Sequence, residues 1–301
     1  MTEAAQLAVV GNCQVAGILA ALRVLLPGAE ISGWHVGATP ATRDEIAADL
    51  PKYDVVFSNI WDGEEGGLFD LGRLKERCAR VVWLVPVVFT GFHPDCTYLF
   101  HGGQPVSGVV GPYHSAIIAA AYSLGLRPER VPSLFNSLVY SRLGYFDAFT
   151  TAKAEFIEIH RQHGYDVAGH FEDWVRAGPF MYTINHPRID VLTTMSTMAA
   201  VRAELVAPDT PIPGGVPDSL ETHHRWPTYP EIAKRIGVPG SLKFLRDIYG
   251  LAENEDREVS LLEAVARSYR VYADATDLDL GSGRIGFVRD RLKEMLVSTA
   301  G

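Results

Sequence analysis

The sequence is poor in cysteine and in long apolar runs, and each shortage excludes a class of protein. Its three cysteines, Cys13, Cys78 and Cys96, are an odd number at scattered positions, which fits neither a disulfide framework nor a zinc site. No apolar run reaches the length that crosses a bilayer, and the first residues lack the basic start of a signal peptide. We therefore expect a cytoplasmic protein with reduced thiols, no metal and no membrane span.

Positive charge is also scarce. The chain has 27 lysines and arginines against 36 aspartates and glutamates, a formal net charge of -9. Such a chain repels a phosphate backbone, which excludes nucleic acid as a non-specific partner. The length of 301 residues and the hydrophobic content of 47% are typical of a globular protein that buries a core in one or two domains.

Strand and helix patterns alternate up to residue 126. Apolar runs typical of buried strands lie at 7–10, 29–36, 53–60 and 79–89, the last interrupted by Pro86. Helical spacing lies at 15–26, 42–50, 68–78 and 114–126. This alternation predicts an α/β fold, an open parallel sheet of about four to five strands with an SGNH- or flavodoxin-like arrangement.

The rest of the chain is predicted to be mainly helical. Helical patterns lie at 149–164, 171–178, 190–206, 228–237, 242–250, 260–275 and 285–298, and a stretch rich in proline and glycine at 207–220 predicts a surface loop. We expect an α/β region over 1–126 and a helical region over 127–301 that packs on it as one unit.

Cys13 stands at the bend between the first strand and the first helix. The strand ends at Gly11, and helical spacing begins at Gln14. The N–H groups and dipole of a helix N-terminus favour a thiolate, so Cys13 is a candidate nucleophile with a lowered pKa. The backbone N–H groups of Cys13 and Gln14 and the side chain of Asn12 are candidate oxyanion donors. The alternative is that Cys13 is an inert packing residue.

Further polar residues follow the other predicted strands at the same edge of the sheet, where open parallel sheets bind ligands. They are His35, Asn59, which is another oxyanion donor, and the segment FTGFHPDC with His93 and Asp95. With Cys13 they supply a nucleophile, a base and an orienting carboxylate. The alternatives are a structural role for His93 and a turn-capping role for Asp95.

Four segments together resemble the WcbI-type family of capsular polysaccharide biosynthesis acetyltransferases: VVGNCQVAGIL, VPVVFTGFHPD, GPYHSAIIAAAYSLGL and MYTINHPRIDVL. The resemblance extends over residues 7 to 200. It implies a coenzyme A-binding protein with an SGNH-like region that acetylates a sugar of a surface polysaccharide. The opening GNCQ is also similar to the Gly-Asp-Ser opening of SGNH-type hydrolases, with Cys13 in place of the serine.

The resemblance also implies which residues form the site. The catalytic residues would be Cys13, His93, Asp95 and His186, and the residues around coenzyme A would include Gly11, Asn12, Gln14, Tyr113, His114 and Asn185. Asn59 joins the candidate coenzyme A residues because of its position at the same edge of the sheet, not through the resemblance. Arg142 and Arg188 are candidates for holding the phosphates of coenzyme A, because an acidic chain needs local cations or helix N-termini for that purpose.

The choice of base is open between His93 and His186. SGNH-type enzymes carry an aspartate three residues before their histidine, and Thr183 occupies that position here. This difference favours His93. In the structural alternative, Asn185 caps the helix after Pro187 and His186 binds backbone groups.

The favoured hypothesis is transfer of an acetyl group from acetyl-coenzyme A to a sugar hydroxyl, through an acetylated Cys13 or in one step. Two alternatives remain. One is a thiol esterase that cleaves acyl groups from a carbohydrate, and the other is a non-catalytic module that binds coenzyme A. The sequence does not predict an oligomeric state.

Overall fold

The computed structural model describes residues 4–36, 38, 41–60, 67–253, 255–275 and 277–298. The strands are β1 (Gln6–Gly11), β2 (Glu30–His35), β3 (Val55–Asn59), β4 (Val81–Trp83), β5 (Cys96–Tyr98), β6 (Phe100–His101), β7 (Gln104–Pro105), β8 (Tyr113–Ser115), β9 (Lys243–Leu245) and β10 (Glu258–Ser260). The α-helices are α1 (Val15–Leu25), α2 (Arg43–Asp49), α3 (Leu71–Arg77), α4 (Ala116–Ser123), α5 (Ser137–Arg142), α6 (Ala148–Gln162), α7 (Ala168–Arg176), α8 (Ile189–Arg202), α9 (Pro230–Ile236), α10 (Leu261–Asp274) and α11 (Gly283–Ser298).

Residue contacts divide the chain into two compact units. Unit 1 comprises Met1–Val88, Ile157–Trp174 and Asn185–Glu221, and unit 2 comprises Phe89–Phe156, Val175–Ile184 and Thr222–Gly301. The predicted boundary at residue 126 does not coincide with these units. Two later segments return to unit 1, and the stretch 89–126 belongs to unit 2, an exchange that no local sequence pattern reveals.

Unit 1 is built on a parallel sheet with the strand order β2-β1-β3-β4. Gly11 at the end of β1 is in register with His35 of β2 and with Asn59 of β3. The predicted α/β class and open parallel sheet are thus confirmed. The carboxyl ends of β1, β2 and β3 lie at one edge, the position where such sheets bind ligands.

One face of this sheet is covered by α2 and α3. Their buried residues join a core cluster with Ala8, Val10 and Val56 of the strands. Thr42 begins α2 with a capping box, in which its side chain accepts from the N–H of Glu45 and the Glu45 side chain accepts from the N–H of Thr42.

The helix α1 packs against α8. A Cβ atom added at Gly17 of α1 would lie 2.5 Å from Leu192 Cδ1 and 3.3 Å from Ile189 Cδ1, so these side chains pack closely against the bare backbone of Gly17. Because Gly17 is in the first turn of α1 and Ile189 begins α8, the N-terminal ends of both helices lie side by side.

Two local predictions need correction. The fourth strand is shorter than the predicted span 79–89 and ends at Trp83, before Pro86. The helix predicted over 242–250 is wrong: Phe244 is instead the buried centre of β9 and pairs with Val259 of β10. A single inward residue in a three-residue strand gives no period-two pattern to detect.

Unit 2 contains three antiparallel strand pairs, β5 with β8, β6 with β7, and β9 with β10. Its core includes α4, whose residues from Ala116 to Ala121 are all buried. The mainly helical character of the later part of the chain is confirmed. Within the described residues, no helix is both long enough and apolar enough to cross a membrane.

Candidate functional site

The carboxyl edge of the unit 1 sheet carries the Gly11-Asn12-Cys13-Gln14 turn. A Cβ atom on Gly11 would lie 2.8 Å from the Cβ of Asn59 and 3.1 Å from Val15 Cγ2. Glycine is therefore required for close packing of the strand end, independently of any ligand. Asn12 accepts a 3.0 Å hydrogen bond from the N–H of Gln14 and shapes the turn that precedes α1.

The half-buried thiol of Cys13 lies against Asn185. Sγ is 4.0 Å from the carbonyl oxygen of Asn185, to which it donates, and 3.9 Å from Asn185 Nδ2, which donates to the sulfur. These are long sulfur hydrogen bonds between residues 172 positions apart. The fold thus brings the GNCQ and NHP segments together.

Burial raises the pKa of the Cys13 thiol to about 11, and the backbone N–H of Cys13 opposes this only in part. The expected lowering of the Cys13 pKa is therefore wrong for the protein alone. The sulfur is withdrawn from water, and α1 begins two residues later at Val15, so desolvation outweighs the helix dipole. At neutral pH the group is a thiol, and any reaction at sulfur needs a base.

This raised pKa predicts slow alkylation of Cys13 at neutral pH. The rate with iodoacetamide is expected to rise about tenfold per pH unit from about pH 7 to about pH 10, because the thiolate is the reactive form. Peptide mapping of samples quenched at each pH measures this rate, with a small free thiol as the control. A rate that levels off at about pH 8.5 would contradict a raised pKa.

The Gln14 side chain links this turn by hydrogen bonds to the backbone at Val87 and at Asn185. Its Nε2 donates to the carbonyl oxygens of Val87 at 2.8 Å and Asn185 at 3.0 Å, and its Oε1 accepts from the N–H of Val87 at 3.1 Å. The side chain is fully buried. The Gln14 amide is thus engaged within the protein, and its N–H is engaged with Asn12, which removes both as donors to a ligand.

His186 follows Asn185 and is 8% exposed. Arg188, a predicted ligand of the coenzyme A phosphates, donates through Nε and Nη2 to Asp190 at 3.2 and 2.6 Å. The N–H of Ile189 at the start of α8 donates to Asp218 at 2.9 Å. Two carboxylates thus lie at this helix start, which is an unfavourable place for a phosphate.

Asn59 and His35 flank the end of β1. Asn59 is buried, its Nδ2 donates to the Leu84 carbonyl at 3.2 Å, and its Oδ1 has no hydrogen-bond partner among the described residues. The His35 side chain is half-buried, and burial lowers its pKa. The sequence predicts His35 at this edge, and its register with Gly11 confirms that position.

His93 belongs to unit 2 and is buried there. Its Nδ1 lies 3.3 Å from the Pro227 carbonyl and its Nε2 lies 3.2 Å from the Met181 carbonyl. Burial lowers its pKa to about 4, although both carbonyls favour the charged form. Both ring nitrogens face the backbone, an arrangement typical of a structural histidine.

Asp95 is also in unit 2 and has no exposed surface. One carboxylate oxygen accepts from the N–H of Ile117 at 2.9 Å and from Tyr145 at 3.0 Å, and the other accepts from Tyr229 at 2.7 Å and from the Ser115 hydroxyl. Burial raises the pKa of Asp95 despite these donors. The carboxylate joins α4 to distant aromatic residues and does not contact His93 through a hydrogen bond.

The remaining predicted site residues also lie in unit 2. Tyr113 and His114 are buried in β8, and His114 lies 3.1 Å from the Tyr272 hydroxyl and 3.0 Å from the Val106 carbonyl. Arg142 is exposed at the end of α5. In the part of the chain that the structure describes, no group of three or more His, Cys, Asp or Glu residues is placed to hold a metal ion.

A family model described as "Polysaccharide biosynthesis enzyme WcbI" matches residues 6–210. A solved structure of WcbI, described as a novel polysaccharide biosynthesis enzyme, is similar with a TM-score of 0.70 and 14% identity over 97% of this chain and 99% of that chain. It is described as the native protein without a disulfide bond between coenzyme A and one of its cysteines. At this identity the similarity shows the fold.

A second comparison is local. The Smg homolog of Bordetella avium (strain 197N) is 51% identical over 41 residues, which are 14% of this chain and 27% of that protein. The chain therefore matches about a quarter of the length of that relative. So short a match carries no argument about function.

Proposed function

The chain belongs to the WcbI family of polysaccharide biosynthesis enzymes, and from this premise we propose that it is a coenzyme A-dependent acyltransferase. The acyl group is acetyl, and the acceptor is a sugar hydroxyl of a surface polysaccharide of the capsular type. We place the reaction in the cytoplasm, where coenzyme A thioesters are available. The observation that carries the proposal is the contact of the Cys13 thiol with Asn185.

The coenzyme A part of this proposal has two supports. The similar WcbI structure is described as the native protein without a disulfide bond between coenzyme A and a cysteine, so its description names both the ligand and a thiol. In this chain, a half-buried thiol lies at the carboxyl edge of the sheet beside a side-chain amide donor. A thiol in such a place suits attack on a thioester carbonyl, since it is partly shielded from water and still accessible.

In the first step, the Cys13 sulfur attacks the carbonyl carbon of acetyl-coenzyme A. A carbon–sulfur bond forms to Cys13, the thiol proton passes to the base, and the bond from the carbonyl carbon to the coenzyme A sulfur breaks. The departing sulfur takes the proton, which leaves acetyl-Cys13 and coenzyme A. Asn185 Nδ2 is the donor for the negative charge that develops on the carbonyl oxygen.

In the second step, the sugar hydroxyl attacks the acetyl carbonyl. The base takes the hydroxyl proton and returns it to the Cys13 sulfur as the thioester bond breaks, which restores the thiol. Because burial raises the pKa of Cys13 to about 11, the base is needed in both steps.

We assign the base to His186 rather than His93. His186 is the next residue after Asn185, which contacts the thiol. Both ring nitrogens of His93 face backbone carbonyls in unit 2, and its pKa is lowered to about 4, so it is a poor proton acceptor. We assign Asp95 a structural role for the same kind of reason, since its carboxylate is occupied by four donors.

The test is a thermal-shift titration with coenzyme A and acetyl-coenzyme A. A ligand that binds only the folded protein raises the melting temperature with concentration, and both compounds are expected to do so. Adenosine is the control for non-specific stabilisation. The absence of any shift at millimolar coenzyme A would contradict the proposed function.

A further inference from the structure

Unit 1 contains a cavity of about 570 Å³ that is separate from the Cys13 site. It is lined by β4, by the end of α3 and by residues after α6 and α8. Arg202 at the last position of α8 lines the cavity, whereas Asn185 precedes the first turn of that helix. A helix of this length is roughly 20 Å long, so the cavity and the Cys13–Asn185 contact lie at opposite ends of α8.

The charge of this cavity is opposite to that of the chain. Its lining includes three cations, Lys75, Arg80 and Arg202, and one carboxylate, Glu204. The ion pair between Arg80 and Glu204 is long, at 3.8 Å, and the Glu204 side chain is largely exposed. Although the chain has a net charge of -9, this concave surface has an excess of positive charge and therefore attracts anions locally.

Both guanidinium groups are held in place by backbone carbonyls. Arg202 Nη1 donates to His163 at 2.8 Å and to Gly164 at 3.0 Å, and Arg80 Nη1 donates to Ala203. A Cβ atom on Gly164, whose φ is +79°, would collide with Arg202 Nη1, so glycine is needed for this arrangement. Fixed guanidinium groups with remaining N–H donors bind phosphate oxygens at a small entropic cost.

The cavity also has an aromatic wall. The Trp83 and His163 rings are 4.3 Å apart between centroids and nearly perpendicular, and Trp83 Nε1 is fixed by a 2.6 Å hydrogen bond to the Ile60 carbonyl. Aromatic side chains provide stacking surfaces for a nucleobase. The volume lies in the range of small-molecule sites.

We propose that this cavity binds the phosphates of a nucleotide, with Lys75, Arg80 and Arg202 as phosphate ligands and Trp83 and His163 beside the base. The same chemistry is present in the 3′-phospho-ADP end of coenzyme A and in the nucleoside diphosphate of a sugar nucleotide. The residues that line this site do not include Cys13, so the proposal does not depend on chemistry at Cys13.

Isothermal titration of the full chain tests this site with four probes: ADP, 3′-phosphoadenosine 5′-phosphate, UDP and adenosine. At least one of the three phosphorylated probes is expected to bind, and adenosine is not. Lys75 is exposed and has no hydrogen-bond or ion-pair partner within the described residues, so Lys75→Glu should weaken binding by about tenfold without loss of folding. Lys234→Glu in unit 2 is the matched charge reversal and should leave binding unchanged.

The results distinguish coenzyme A from a sugar nucleotide as the ligand, and they test this site independently of the acyltransferase proposal. Preference for the adenosine phosphates identifies the coenzyme A end, and preference for UDP identifies a sugar nucleotide. Cys13→Ala should leave the binding of the probes unchanged, so failure of the acyltransferase proposal would not affect this result. No binding of any phosphorylated probe at millimolar concentration, or equal weakening by Lys75→Glu and Lys234→Glu, would overturn the site.

Discussion

Replacement of Cys13 by alanine is expected to lower acetyl transfer from acetyl-coenzyme A by about a thousandfold or more. In the proposed mechanism the substitution removes the atom that would accept the acetyl group, and no other thiol is on the described carboxyl edge of the sheet. Because alanine leaves the backbone of the turn and the Gln14 hydrogen bonds in place, the thermal shift with coenzyme A should persist. Turnover is measured by release of coenzyme A with the sugar acceptor present.

Cys78→Ala is the matched control for this experiment. Cys78 is a buried member of the core cluster beneath α2 and α3, so its replacement should lower stability and leave turnover per folded molecule unchanged. If Cys13→Ala instead kept more than about a tenth of the activity, the acetyl group would pass directly to the sugar and Cys13 would only line the site.

Replacement of Asp95 by alanine is expected to lower the free energy of unfolding by about 3–5 kcal/mol. Three hydroxyl groups and the N–H of Ile117 donate to this carboxylate in a site without solvent exposure. Without it, these buried donors lose their acceptor, and α4 loses its connection to Tyr145 and Tyr229. Urea unfolding followed by tryptophan fluorescence and circular dichroism measures the loss.

The graded control for Asp95 is Ser115→Ala, which keeps the carboxylate but removes one of its donors and the N-cap acceptor of the Ile118 N–H in α4. Its expected cost is about 1–2 kcal/mol, since the carboxylate retains three partners. An Asp95→Ala protein with the stability of the unchanged chain and no activity would show that Asp95 takes part in catalysis rather than in folding.

The sheet of unit 1 could be predicted from the sequence because each of its strands alternates with a helical segment. The run before Gly11 and the helical spacing after Gln14 define β1 and α1, and the same alternation repeats to β4. The short strand pairs of unit 2 could not be predicted, since three residues carry no measurable period. The exchange of segments between the two units depends on long-range packing, which local patterns do not encode.

The site could be predicted in part. The position of Cys13 at the strand–helix bend and the family resemblance both predict it, the resemblance predicts Asn185, and the structure places the two residues in contact. The direction of the Cys13 pKa shift was predicted wrongly, because helix position is visible in a sequence and desolvation of a sulfur atom is not. The engagement of Gln14 with Val87 was also hidden, since a buried amide and a ligand-binding amide are the same residue type in a sequence.

The central claim is that Cys13 carries the acetyl group, and peptide mass spectrometry of a quenched reaction tests it most directly. The full chain is mixed with acetyl-coenzyme A in the absence of a sugar acceptor, quenched in acid and digested. The account predicts one added acetyl group on the peptide that contains Cys13, and none on the peptides of Cys78 and Cys96. An unmodified Cys13 in a preparation that transfers acetyl groups to a sugar would contradict it.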